Sequence, residues 1–273
     1  MKTRILAAAV LVPILLLVVL VAPVVVAGVV FGILFAIGSY ELLYRTGLVR
    51  HTRLVIYSSL MAFAVAMWSY AGAGDAYALI GVLAFSMLLF AEMMADHVKV
   101  HIEMLGMCFL SGLIIPYMLS ALVRILTVYY GRYLILIPFV VACVSDAGAY
   151  FVGMKFGRHK LAPVVSPNKT IEGALGGLAA AVIAMLLYVL VLDLAFPQLK
   201  VHYALAVLYG VVGSVVGVFG DLCFSIIKRQ TGIKDYGNLI PGHGGVFDRF
   251  DSLVTVAPLM EALMLLLPVV ELW

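Results

Sequence analysis

Charge is scarce in this sequence: Asp, Glu, Lys and Arg together make up only 11% of its 273 residues, while 65% are hydrophobic. A soluble globular domain carries about a quarter charged and about half apolar residues, so a water-facing fold is excluded. With a mean hydropathy of +1.19 the chain reads as a polytopic membrane protein. The basic excess is small too. A formal charge of +3, dispersed over many loops, gives no argument for nucleic acid as a partner. Cys108, Cys143 and Cys223 are odd in number, lie in apolar runs and form no CxxC pair. They read as small core residues, which excludes a disulfide framework or a zinc site. No stretch alternates apolar with polar residues as a membrane strand must, so a barrel is excluded. No GxxxxGK[ST] occurs either, which argues against a P-loop nucleotide site.

What the sequence does contain is a succession of long apolar runs. Spanning hydrocarbon takes about 20 such residues in a helix. On that rule the chain is all-α, a helical membrane bundle of about nine spans near residues 5–21, 24–43, 54–70, 76–90, 105–122, 134–152, 174–194, 203–227 and 253–270. Pro23 separates the first two. Lys2 and Arg4 before an apolar run resemble a signal peptide, but the run passes Val21 without a polar break and reads as the first span. With the amino terminus inside, the inner segments hold fourteen basic residues: Lys2, Arg4, Arg45, Arg50, Arg53, Lys99, Lys155, Arg158, Lys160, Lys169, Lys228, Arg229, Lys234 and Arg249. The outer segments hold three, Arg124, Arg132 and Lys200. This asymmetry is the positive-inside pattern of a cytoplasmic membrane protein. It places the two long polar connectors, 153–173 and 225–252, in the cytoplasm.

Residues 1–123 offer few polar groups within spans and read as scaffold, with a lipid-facing or subunit-facing surface that would suit a homodimer. Glu41, near a helix end, reads as an interfacial charge. The loop holding Glu92, Asp96, His97, Lys99, His101 and Glu103 could suggest a metal site, but a solvated helix with alternating charges explains it as well. Chemistry is expected from 124–273. Asp146 and Asp221 sit inside apolar runs, where an ionised Asp costs about 2.5–3.5 kcal/mol at the span centre and needs a wet cavity or a partner. A single structural Lys or Arg could be that partner. Asp221, Ser225 and Lys228 nevertheless fall at i, i+4 and i+7, one helix face, as a metal-and-phosphate stripe would. Lys228 and Arg229 also suit a helix carboxyl end.

Asp248 and Asp251 precede the last span, where a helix cap is the plain alternative to a metal site. They follow Gly242, His243, Gly244 and Gly245, whose backbone N–H groups can turn toward an anion. The other connector supplies Lys155, Arg158, His159, Lys160, Ser166, Asn168, Lys169 and Thr170, stiffened by Pro163 and Pro167. Anionic lipid would account for its charge, but not for the compact SPNKTIEG. Gly173, Gly176, Gly177, Gly213, Gly217 and Gly220 are expected to let helices approach closely. Intramembrane Asp beside Gly-interrupted helices also suits an ion-coupled transporter.

The run SIIKRQTGIKDYGNLIPGHGGVFDRFD, residues 225–251, resembles the signature of the phosphatidate cytidylyltransferase (CDP-diacylglycerol synthase) family, S-x-x-K-R through K-D to H-G-G-x-x-D-R-x-D. The upstream SDAGAYFVG and SPNKTIEGALGG look like two further blocks of that family, with Ala147 standing where Thr or Ser is expected. The resemblance covers the chain from about Val141 onward. It implies an enzyme, a nucleotidyltransferase joining CTP and phosphatidic acid into CDP-diacylglycerol and pyrophosphate within the membrane. A related CTP-dependent enzyme acting on an isoprenoid lipid is the nearer alternative. It implies Mg2+, with a second ion, monovalent or divalent. Mapped onto this chain, Asp221 and Asp248 hold the metal with Asp146 and Asp251 beside them, and Lys228 joins Asp221, Asp248 and Asp251 in catalysis. Lys169, Arg229 and Lys234 bind phosphate, with Ser166, His243, Gly244, Gly245, Arg249 and Lys160 as further nucleotide contacts.

Overall fold

Helices form where the apolar runs are longest, and several of their ends fall at proline or glycine. The computed structural model describes residues 2–240, 242 and 244–272. In chain order the elements are α1 (Lys2–Leu20), α2 (Val24–Tyr40) running into a π-helical turn (Glu41–Arg45), α3 (Thr52–Ala71), α4 (Asp75–Ala95), and α5 (Ile102–Phe109) with a second π-helical turn (Leu110–Ile114). Then come α6 (Ile115–Leu119), α7 (Ala121–Thr127), α8 (Gly131–Leu134), α9 (Leu136–Phe156), β1 (Lys160–Ala162), β2 (Ser166–Thr170) and α10 (Ile171–Ala195). The chain closes with β3 (Leu199–Val201), α11 (Tyr203–Gln230), a 3-10 turn (Phe247–Arg249), α12 (Leu253–Leu266) and β4 (Val270–Leu272).

All nine expected runs carry helix. Among the described residues seven stretches are long and apolar enough to cross a membrane: Val24–Arg45, Thr52–Ala71, Asp75–Ala95, Ile102–Thr127, Gly131–Phe156, Ile171–Ala195 and Tyr203–Gln230. The expected ninth span is shorter than its apolar run. At about 1.5 Å per residue, the 14 residues of α12 rise roughly 21 Å, short of a hydrocarbon core of about 30 Å. Pro268 is the cause, because the residue before a proline is pushed out of the helical region; Leu267 sits at φ −141°, ψ 70°. Pro23 breaks α1 from α2 as expected, and Gly72, at φ 56°, ends α3 in the left-handed conformation that glycine tolerates. The expected single span over 105–122 is interrupted by a π-helical turn just before Pro116. Proline lacks the N–H and crowds the carbonyl four residues back, so the ladder widens upstream of it.

By its contacts the chain divides into two compact units, Met1–Tyr129 with Lys228–Phe250, and Tyr130–Ile227 with Asp251–Trp273. The connector 228–250 therefore groups with the N-terminal helices, which the linear division at 123/124 did not express.

In the first unit Leu43, Val49, Leu54, Val55, Phe85, Leu89, Val100, Leu105 and Cys108 form a buried cluster. Outside it, α4 exposes Leu79 (70%), Ile80 (63%), Leu83 (58%) and Met87 (65%). An apolar face of that extent is tolerated where the solvent is hydrocarbon, and the chain is an integral membrane protein. Cys108 is the core residue expected, whereas Cys143 is exposed and Cys223 half-buried.

The second unit is built on glycine. Val152 of α9 fills the space where a side chain at Gly176 of α10 would stand, and a Cβ at Gly148 would come within 2.6 Å of Ala180. Along α11, Gly213 accommodates Met260 and Gly217 accommodates Val256, so α12 seats against it. The helices thus approach at backbone distance, as expected for small residues in spans. Gly176→Ala is expected to cost about 1–3 kcal/mol of stability by overpacking. Thermal unfolding in detergent checks this, and an unchanged midpoint would mean α9 and α10 part freely. No strands were expected, yet two antiparallel pairs close the connectors: β1 with β2, Lys160 opposite Thr170, and β3 with β4, Lys200 opposite Glu271. At three to five residues each they are too short for an alternation to be legible in sequence.

Candidate active site

In the second unit a cavity of about 470 Å³ opens at the amino end of α10, and Asp146, Tyr150, Asn168, Lys169, Thr170 and Asp221 are among the residues lining it. Three elements supply the polar groups. Asp146 comes from α9, Asp221 from α11 and Lys169 from β2, where the hairpin turns the basic connector back over the helices. Lys169 Nζ pairs with Asp221 Oδ2, both side chains about three-quarters buried. Ser225 Oγ donates to Asp221 Oδ1 at 3.3 Å, the i, i+4 contact its spacing predicts.

The hairpin is fixed by Thr170, named above only as part of the basic connector, and by Glu172, which sequence reasoning passed over. Thr170 is buried and caps α10, its Oγ1 accepting the Gly173 N–H at 3.1 Å. Glu172 Oε2 accepts the backbone N–H of Arg158 at 3.0 Å and of His159 at 3.2 Å, and Oε1 lies 2.6 Å from His159 Nδ1. One carboxylate thus ties the start of the connector to the start of the helix that follows it. The signal was present as a hydroxyl residue followed two places on by an acid, in TIEG. Ser166 lies half-buried at the far end of β2, opposite Ala162, and Lys160 opens β1, exposed.

In the first unit the connector wraps around two buried carboxylates. Asp248 Oδ2 accepts the N–H of Tyr236 and of Gly245, each at 2.8 Å, and its Oδ1 lies 2.7 Å from Lys228 Nζ. The ammonium also stands 5.0 Å from the Tyr236 ring centroid, a cation–π distance. Asp248 was weighed as a helix cap, but it lies in the 3-10 turn Phe247–Arg249 while α12 begins at Leu253. Glu41 is not the interfacial charge expected. It is 3% exposed, with Oε1 accepting the Val246 N–H at 3.1 Å and Oε2 the Phe247 N–H at 2.9 Å. A carboxylate that finds two backbone donors is shielded from water without an unmet polar group. Arg45 follows it, Nη2 donating to Asn238 Oδ1 at 3.4 Å.

The remaining candidates spread out. The Gly245 N–H is used by Asp248, and Gly244, at φ 83°, packs against the same carboxylate. Arg229, Lys234 and Arg249 are exposed. Asp251, in the second unit, accepts its neighbour Ser252's N–H at 2.9 Å. His243 lies outside the described residues. Among the described residues no three His, Cys, Asp or Glu side chains gather as a metal group. The second-unit cavity still fits a hard cation, because Mg2+ rests on one or two carboxylates and takes its other oxygens from water and substrate phosphate. Asp146 and Asp221 would supply such a pair, and Lys169 beside them would supply charge for phosphate oxygens.

The chain is 44% identical over 135 residues to a phosphatidate cytidylyltransferase of Staphylococcus haemolyticus (strain JCSC1435), 50% of each protein. It is 43% identical over 137 residues to one from Bacillus subtilis (strain 168), 50% of this chain and 49% of that protein. A Staphylococcus aureus (strain COL) relative of the same name is 43% identical over 135 residues, 50% of each. The matches thus span about half the length of these curated relatives. The profile of the cytidylyltransferase family covers residues 2–267, nearly the whole sequence, and the chain belongs to that family.

Proposed function

We propose that this protein is a phosphatidate cytidylyltransferase of the cytoplasmic membrane, with its polar connectors on the cytoplasmic side. The reaction is CTP plus phosphatidic acid giving CDP-diacylglycerol and pyrophosphate. A lipid phosphate oxygen attacks the α-phosphorus of CTP in line, the bond to the β-phosphate oxygen breaks, and pyrophosphate departs with that electron pair. The nucleophile is already ionised at neutral pH, so no general base is required. Family membership and the names of the relatives support the reading. The observation that carries it is the cavity in which Asp146, Asp221 and Lys169 meet from three elements.

Reactions of this kind need position and charge neutralisation more than covalent chemistry. Lys169 would hold phosphate oxygens, and the amino end of α10 beside it favours the same anion. Asp146 and Asp221 would hold Mg2+, which when bound neutralises phosphate charge. On the sequence pattern alone, Asp248 and Asp251 are further candidates for the metal, and Lys228, Arg229, Lys234 and Arg249 for phosphate. Tyr150 and Met154, exposed on α9 at the same cavity, would face lipid and keep the cavity's apolar side dry.

Purified protein in detergent, given labelled CTP, phosphatidic acid and Mg2+, is expected to form lipid-linked CMP with no membrane gradient. Absence of product under every divalent metal overturns the reading and returns the transporter. Preference for an isoprenoid lipid in competition would keep the chemistry and change the substrate.

A further inference from the structure

We infer that Glu41 is a positioning residue for the connector that carries Lys228 and Asp248, an inference resting on the proposed role of those two side chains. Three observations converge on it. Its carboxylate is buried, and its two oxygens each accept one consecutive backbone N–H, Val246 and Phe247, the two residues before Asp248. Gly237 and Gly245 pass so close that a Cβ at either would collide with that carboxylate. Glu41 also opens a π-helical turn at the end of α2, a widening that resets which way the following side chains point and is frequent at functional sites.

The arrangement is a double clasp. Glu41 takes the N–H groups of Val246 and Phe247, while Asp248 takes those of Tyr236 and Gly245. Four backbone donors of one connector are therefore oriented by two carboxylates, and the Asp248 oxygen that remains faces Lys228 Nζ. The 3-10 turn beginning at Phe247 has no side-chain cap of its own. Glu41 serves in that place, from a residue 205 positions away. The recognised signature of the connector thus depends on a side chain from the part of the sequence that reads as scaffold.

The decisive variant is Glu41→Gln, isosteric but with an NH2 where an acceptor must be, so that one of the two N–H groups meets a donor. Its kcat is expected to fall about 10- to 100-fold, the scale of a misplaced reacting group, with KM for CTP nearly unchanged. Hydrogen exchange is expected to accelerate in peptides covering 236–248 and nowhere else. If Glu41→Gln does not fold, Glu41→Asp, which keeps the carboxylate but draws it back by one methylene, takes its place, and the same readouts decide. Wild-type kcat in the variant overturns the inference. So does a loss of activity matched by global loss of protection, which would make Glu41 a fold residue only. An inactive wild-type protein would instead sink the proposed reaction, while the exchange pattern would still report the clasp.

Discussion

Asp221→Asn is expected to lower turnover at least about a hundredfold, the scale for losing one group that stabilises developing phosphate charge, while the protein stays folded. The second half of that statement comes from burial. Asp221 and Lys169 keep 23% and 24% of their side-chain surface, and Asn retains the shape and one acceptor oxygen beside Lys169, so the substitution is expected to cost less than the loss of about 3–5 kcal/mol that follows breaking a fully buried pair. A structural counter-ion predicts a loss of stability with little change in activity. A metal ligand predicts a large change in activity alone. Mn2+ titration followed by electron paramagnetic resonance separates the two without any substrate: Asp221→Asn should weaken binding. Turnover near wild type, or unaltered Mn2+ binding, would leave Asp221 as the partner of Lys169 and nothing more.

The spans were legible because the evidence for them is cumulative: twenty apolar residues in a row outvote any single exception. Their ends were less so. Pro268 shortens α12 through its effect on Leu267, and Pro116 puts a π-helical turn into an expected regular span. Within the second unit, Asp146, Asp221 and Lys169 could be named as candidates one by one, since an Asp in hydrocarbon and a Lys in a proline-stiffened loop are each conspicuous. That they line one cavity follows from the β1–β2 hairpin, whose strands of three and five residues leave no periodic trace. Glu41 was misread for a related reason. Alone at the end of an apolar run, a carboxylate looks interfacial, and the two N–H groups that make its burial tolerable belong to Val246 and Phe247. No local pattern announces a partner at that separation.

Asp248 should behave differently from Asp221. Its side chain is 1% exposed and that of Lys228 13%, so Asp248→Ala strands a buried ammonium and two backbone N–H groups. A loss of about 3–5 kcal/mol of stability is expected, alongside loss of turnover. Activity alone therefore cannot separate an unfolded connector from a missing functional group. The geometry offers a way to separate them. Both backbone donors, Tyr236 and Gly245, go to the same oxygen, Oδ2, while Oδ1 faces Lys228. Asn in place of Asp248 can keep both backbone bonds through its one carbonyl oxygen, but its NH2 then confronts the Lys228 ammonium. Asp248→Asn alone should thus destabilise, and adding Lys228→Met, which removes the opposing donor, should restore most of that loss. The double variant is expected to unfold near the wild-type temperature and to remain inactive. Recovery of turnover together with stability would confine Lys228 and Asp248 to holding the connector's shape, and phosphate chemistry would have to rest on the second-unit cavity with Asp146, Lys169 and Asp221.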